Sequence, residues 1–389
     1  MIYSTDRILT THAGSLPRPA DLLAMVTAKS LGRPYDRGAL QARLPEAVAE
    51  VVARQKQAGI DIVNDGEFGK SNFTNYVRER VTGFEIRPHR GKGFEVLNII
   101  ARDARKFEGY FDARPRESSR AGMGFPVCVG PLRYAEQGRA ELQTDIANFR
   151  AALAESGIEY GFLPANTPGT VEHWMGNEYY KNAEEFLYAI AGVLREEYRA
   201  ITDAGLLLQI DDPDLPDCWN CLPDMSVPEY LKYAALRVEA LNHALDGIPR
   251  ERVRLHVCWG SYHGPHHDDI PLADIADLIF GVRAGSYSIE ASNPCHEHEW
   301  RVFEDRKLPE GATLAPGVVG HFSDFIEHPD LVAERLVRYA NLVGRENVIA
   351  GTDCGLGTRV GHPSVCWAKL EALAEGARRA TKRLWRRAA

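Results

Sequence analysis

Arg254-Leu255-His256-Val257-Cys258 alternates polar and apolar residues as the end of a strand does. Strand side chains repeat every two residues, so His256 and Cys258 point to the same face. An imidazole and a thiol fixed side by side on a rigid element are two soft donors of the kind zinc takes. Two donors are not a site, and a bare His-x-Cys is more often core packing. The rest of the chain must supply the third and fourth.

The elements that would position those donors alternate regularly. Strands are expected at 8–14, 60–66, 159–166, 206–212, 252–258, 286–291, 313–319 and 347–353. Helical patterns are expected at 19–30, 38–57, 183–204, 228–245, 271–282, 329–343 and from about 363 to 385. Residues 84–135 interrupt the rhythm with Arg, Lys, Gly and Pro around one apolar run, Pro126 to Gly130, and read as an excursion with a hairpin strand of its own. Eight strand-helix units predict an α/β fold, a (β/α)8 TIM barrel formed by residues 1–389 as one domain, with the excursion inserted after strand two. An open doubly wound sheet is the alternative, and no G-x-G-x-x-G follows a strand to support it.

In such a barrel the chemistry gathers where strands end. The ends carry His12, Gly14 and Ser15; Asp65 and Glu67; Asn166 and Thr167; Asp211 and Asp212; His256 and Cys258; Glu290; and Asp353 and Cys354. His256, Cys258, Glu290 and Cys354 therefore converge on one face. Two thiolates, an imidazole and a carboxylate suit tetrahedral Zn2+. Three formal negative charges favour an ion that holds a nucleophilic sulfur over one that acts as a strong electrophile. The same charge disfavours a zinc hydrolase, which works with neutral ligands and a bound water.

Bulk properties narrow the classes further. The chain has 389 residues, 44% hydrophobic and 26% charged, which fits a globular protein. A formal net charge of -8 argues against nucleic acid and against an anionic membrane as partners. The one basic run, Arg378 to Arg387, reads as a solvated helix end. No apolar run is long enough to span a membrane, no leader pattern opens the chain, and the seven cysteines follow no framework spacing. The expected location is the cytoplasm. Homo-oligomerisation is left open.

Taken in order, Thr11-His12-Ala13-Gly14-Ser15-Leu16-Pro17, Asp65-Gly66-Glu67, Ile210-Asp211-Asp212-Pro213, Arg254 to Cys258, Ile289-Glu290-Ala291, Pro316-Gly317-Val318 and Asp353-Cys354-Gly355-Leu356-Gly357-Thr358-Arg359 resemble the catalytic domain of cobalamin-independent methionine synthases. The resemblance runs nearly end to end and is to the short, single-barrel members. It implies zinc held by His256, Cys258, Glu290 and Cys354. It implies a small thiol, homocysteine in the simplest case, that binds as thiolate and takes an alkyl group from a donor such as a methylfolate. It also implies Ser15 at the substrate carboxylate, with Glu67 and Asp211 at its amino group.

The family's catalytic histidine follows a G-V-x-D strand. Here the run is Gly317-Val318-Val319-Gly320-His321-Phe322, one position displaced. His321, His263 and Asp324 are the candidates to protonate a leaving group. The loop Gly260 to Asp269 departs from the family pattern, and short members also resemble epoxyalkane:coenzyme M transferases, so addition of a thiol to an epoxide is the second reading. A sulfonate thiol would call for cations, with Arg18, Lys70 and Arg359 as candidates. A non-enzymatic zinc or thiol-binding protein is the third reading. Trp219, Trp259 and Tyr262 are candidate stacking surfaces for a flat donor, and His296 and His298 candidate supports for Glu290. Cys218 and Cys221 form a C-x-x-C with no second pair at zinc-finger spacing and receive no role.

Overall fold

Residues 2–73, 75–87, 100–113, 124–357 and 359–385 are described by a computed structural model of the chain. Eight parallel strands form its centre: β1 (Leu9–Thr10), β2 (Ile62–Val63), β3 (Tyr160–Asn166), β4 (Leu207–Asp211), β5 (Val253–Val257), β6 (Ser286–Glu290), β7 (Thr313–Val319) and β8 (Ile349–Thr352). From β2 to β8 each strand pairs with its successor, and β8 pairs with β1. The seam between β1 and β2 is bridged by Asp61 N donating to Thr10 O at 3.1 Å and Thr11 Oγ1 donating to Ile62 O at 3.0 Å. The result is a nearly closed TIM-like barrel wrapped by helices.

These sequences form buried strands because both their faces are covered. In β5, Val253, Leu255 and Val257 alternate with Arg254 and His256, and all five are buried. Inside the barrel, Ile62, Phe162, Ala315 and Ile349 make an apolar layer. One step toward the carboxyl ends, Arg254 stacks 3.9 Å from the Phe162 ring. It donates to Gln209 Oε1 at 2.7 Å, Thr11 Oγ1 at 2.7 Å and His12 O at 3.0 Å. A buried guanidinium with its donors satisfied in this way ties β1, β4 and β5 into one floor beneath the site.

The inserted sheet pairs Val81–Arg87 antiparallel to Phe125–Tyr134 and adds Gly176–Asn177, so it starts earlier than residue 84 and recruits a piece from after β3. Residues 88–99 and 114–123 of the expected excursion lie outside the described residues, as do Thr358 and the last arginines of the basic tail. The helix Glu136–Ser156, absent from the sequence expectations, packs along Arg37–Gln57 and stops at Gly157 in the left-handed conformation (φ 70°). Among the described residues no helix is long and apolar enough to cross a membrane.

Candidate metal centre and substrate site

Strand register sets the site. Asp211 of β4 lies beside His256 of β5, and His256 beside Ser288 of β6. Glu290 lies beside Gly317 of β7. Cys258 and Cys354 stand just past the ends of β5 and β8. Nitrogen and sulfur donors of His256, Cys258 and Cys354 lie within 4.8 Å of one another, with the two sulfurs 3.9 Å apart. Glu290 is outside that compact trio but borders it, and its charge helps to raise Cys258. Its Oε1 stands 4.0 Å from His321 Nδ1, and its Oε2 accepts from Asn293 Nδ2 at 3.3 Å.

Electrostatically the cluster crowds thiols and a carboxylate together away from water. A hydrogen bond from Cys258 holds the Cys354 thiol well below its ordinary range, against burial, with His321 and His256 assisting. The same bond, with burial and the charges of Cys354 and Glu290, pushes Cys258 well up. Burial, then Asp353 and Cys354, push Glu290 far above a normal carboxylate. His256 Nε2 and Glu290 Oε1 are buried without hydrogen-bond partners. Orphaned buried acceptors crowded among thiols are costly unless something positive binds them. The trio can hold a metal ion, and its donor set fits zinc.

The backbone around the trio is fixed by Asp353. Its Oδ1 accepts from Ala291 N at 2.7 Å and Ser292 N at 3.0 Å, and its Oδ2 from Ser292 Oγ at 2.6 Å. This clamps the end of β6 to the end of β8, and so Glu290 to Cys354. Gly317 makes room for the clamp: a Cβ there would come 2.5 Å from Asp353. Ser261 is a further neighbour, its Oγ 3.3 Å from His321 Nε2 and 3.8 Å from Cys354 Sγ. The sequence offered no signal for Ser261, and for Asp353 only its place at a strand end.

On the other side of the barrel mouth lie the residues expected at an amino acid. Asp211 is buried, and burial raises it to about 6, with His256 lowering it and Cys354 raising it. Gln209 Nε2 donates to Asp211 and to Ala13 O. Glu67 has a left-handed backbone (φ 62°), which turns its carboxylate toward Gly14; a Cβ on Gly14 would meet Oε1 at 2.7 Å. Burial pushes Glu67 up to about 8, against Lys70 and reinforced by Asp211. Ser15 packs against Gly355, where a Cβ would come 2.6 Å from its Oγ, immediately after Cys354. Two of the candidate cations, Arg18 and Lys70, lie close enough to lower Glu67 but donate to backbone carbonyls, and Arg359 acts on His321. Arg18 donates to Glu67 O at 2.5 Å and Lys70 O at 2.6 Å, and Lys70 Nζ donates to Pro164 O.

Several sequence candidates fall away from this centre. His263 is exposed on its loop, its ring 6.3 Å from Phe322. Asp324 is exposed and accepts from Gly361 N at 2.7 Å. Trp259 is 1% exposed, with its Nε1 on Ile270 O and its face on His296, so it offers no stacking surface. Tyr262 is spent on Asp103 and Asn220, and the Trp219 ring is capped by Arg102 at 3.4 Å. His296 binds Glu299 and Asp269, so the support of Glu290 comes from Asn293 instead. His298 is exposed.

The barrel, the strand-end donors and the order of the motifs define a class, the methionine synthase-like methyltransferases. Residues 153–378 match the family described as "Cobalamin-independent synthase, Catalytic domain", and the chain belongs to it. The methionine synthase of Thermococcus kodakarensis is 27% identical over 349 residues, covering 89% of this chain and 86% of that protein. That of Pyrococcus furiosus is 24% identical over 377 residues, covering 96% and 93%. The structure of a B12-independent methionine synthase from Shewanella sp. W3-18-1, in complex with selenomethionine, superposes with a TM-score of 0.73 at 21% identity, covering 97% of this chain and 99% of that one. The last likeness shows a shared fold.

Proposed function

We propose that this chain is a zinc-dependent S-methyltransferase for an amino-acid thiol, homocysteine being the simplest, with a methylfolate as candidate donor. His256, Cys258, Glu290 and Cys354 would hold the ion. When bound, zinc would keep the incoming sulfur as a nucleophilic thiolate at neutral pH, where a free thiol of pKa about 8.5 is mostly protonated.

The chain's own residues do the rest. Glu67 and Asp211 are two buried, mutually repelling carboxylates, and Arg18 and Lys70, though near enough to lower Glu67, direct their printed hydrogen bonds to backbone carbonyls, so the carboxylates can serve as a receptor for an ammonium group. That arrangement is the observation that carries the reading, and it disfavours a sulfonate thiol and hence the epoxide alternative. Ser15 presents a hydroxyl for the substrate carboxylate beside Cys354. His321 is fully buried, and burial lowers it to about 4, so its imidazole is neutral at physiological pH. A neutral ring with Nε2 near Ser261 and Nδ1 near Glu290 can take up a proton at one nitrogen and release one at the other, which suits proton delivery to a leaving group. Of the two histidine candidates, His321 is favoured by position over the exposed His263.

The reading is tested by zinc content and by methyl transfer to homocysteine. Wild type is expected to carry zinc and to form methionine from a methylfolate. Glu67→Gln and Asp211→Asn should raise the KM for homocysteine at least tenfold while keeping the zinc. Protein without zinc, or unchanged KM in both variants, would overturn it.

A further inference from the structure

Sequence spacing left Cys218 and Cys221 without partners. The fold supplies one from an unrelated segment. His173, in the last turn of Pro168–Trp174, reaches the helix Asp214–Cys221. Its side chain is 1% exposed, and both cysteines are buried and free. Cys218 Sγ is 3.0 Å from His173 Nδ1 and Cys221 Sγ is 3.6 Å from His173 Nε2. Donors of these three residues lie within 4.8 Å of one another, as do those of the trio at the barrel mouth. Asp214 Oδ1 meets His173 Nδ1, the carboxylate-imidazole contact that orients metal-ligating histidines. Asp214 Oδ2 is buried with no partner. Trp174 stacks on the imidazole at 4.8 Å and helps to fix its plane.

We propose that His173, Cys218 and Cys221 form a second, structural zinc site, with Asp214 orienting the imidazole and a water completing the tetrahedron. Two thiolates and an imidazole are a soft donor set that selects zinc over oxygen-seeking cations. A C-x-x-C on one helix and a histidine on another bring two segments that follow different barrel strands under one ion, the geometry of a clamp.

What the clamp holds is the platform under the insertion. Between the cysteines, Trp219 O and Asn220 Oδ1 receive Arg102 Nε at 2.7 Å and Arg102 N at 3.0 Å. In the same turn Asp217 backs onto Gly260, two residues after Cys258, so closely that a Cβ there would come 2.9 Å from its carboxylate. The second site thus steadies the loop that leaves the first.

The test compares metal bound by purified wild type, Cys258→Ser/Cys354→Ser and Cys218→Ser/Cys221→Ser, with cobalt substitution to report thiolate ligation. The Cys258→Ser/Cys354→Ser protein should retain one zinc per chain and show cobalt-thiolate absorption. The Cys218→Ser/Cys221→Ser protein should hold one zinc fewer than wild type. If the latter misfolds, release of zinc from Cys258→Ser/Cys354→Ser by a mercurial gives the count instead, with one equivalent expected. The proposal is overturned if no thiolate-ligated metal remains in Cys258→Ser/Cys354→Ser, if a mercurial releases no zinc from that variant, or if Cys218 and Cys221 are isolated as a disulfide. Loss of the barrel-mouth zinc alone would contradict the proposed function and leave this site's count at one.

Discussion

In the proposed reading recognition turns on Glu67, whose chemistry is unusual for a glutamate. Buried beside Asp211 and Asp65, it holds its proton up to about pH 8. An ammonium ion binds the ionised carboxylate, so between pH 6 and pH 8 binding must first remove that proton. Methionine, a thioether with no thiol proton to lose, isolates the effect. Its affinity should rise by up to about tenfold per pH unit toward pH 8 and then level, as one-proton linkage requires. Glu67→Gln should flatten the profile in the same calorimetric titration. The sign follows from the raised value: the free protein carries the extra proton below pH 8, and the complex does not. At this scale the sequence was informative wherever a residue's role depended on its own strand. The convergence of His256, Cys258 and Cys354 was legible because each stands at or just past the end of a buried strand. Ser261 and His173 were not, because their partners lie 60 and 45 positions away in the chain.

Elements set how tightly those donors are held. The register of β6, β7 and β8 brings Glu290, Gly317 and Asp353 together, and Gly317 must lack a side chain for the Asp353 clamp to close. Gly317→Ala is expected to cost about 1–3 kcal/mol of stability, the usual range for overpacking a tight core. It should also weaken zinc retention by separating Glu290 from Cys354. Chemical denaturation and metal competition check the two effects, and a variant as stable as wild type would refute the clamp. Strand positions were legible because parallel strands buried on both faces read as apolar runs. The helix Glu136–Ser156 was not, since its Glu, Gln, Arg, Ala and Asp residues dilute the apolar stripe of Leu142, Ile146 and Phe149. The aromatic candidates failed for a related reason: position just past a strand end does not reveal which face of a ring is already covered.

For the whole molecule, the insertion acts as a brace between the barrel's loops. Asp103 accepts from Tyr262 Oη at 2.9 Å, His266 N at 2.8 Å and His267 N at 3.1 Å. Its neighbour Arg102 donates to the carbonyls of Trp219, Leu222 and Met225. The loop Gly260 to Asp269, which the sequence reading set apart from the family pattern, is therefore shaped by a segment inserted far away in the chain. Asp103→Ala leaves two backbone donors and a phenol unpaired. It should speed amide exchange across residues 260–269 at least tenfold while leaving β5 protected, as hydrogen-deuterium exchange would show. Unchanged exchange would mean that the loop holds its shape alone.

The central claim is that the barrel mouth holds a zinc ion poised to take a substrate sulfur. The most direct measurement is zinc-edge X-ray absorption of the Cys218→Ser/Cys221→Ser protein, with and without homocysteine. Two sulfur ligands alone and three with homocysteine are predicted. A sulfur count that does not change when homocysteine is added would contradict the account.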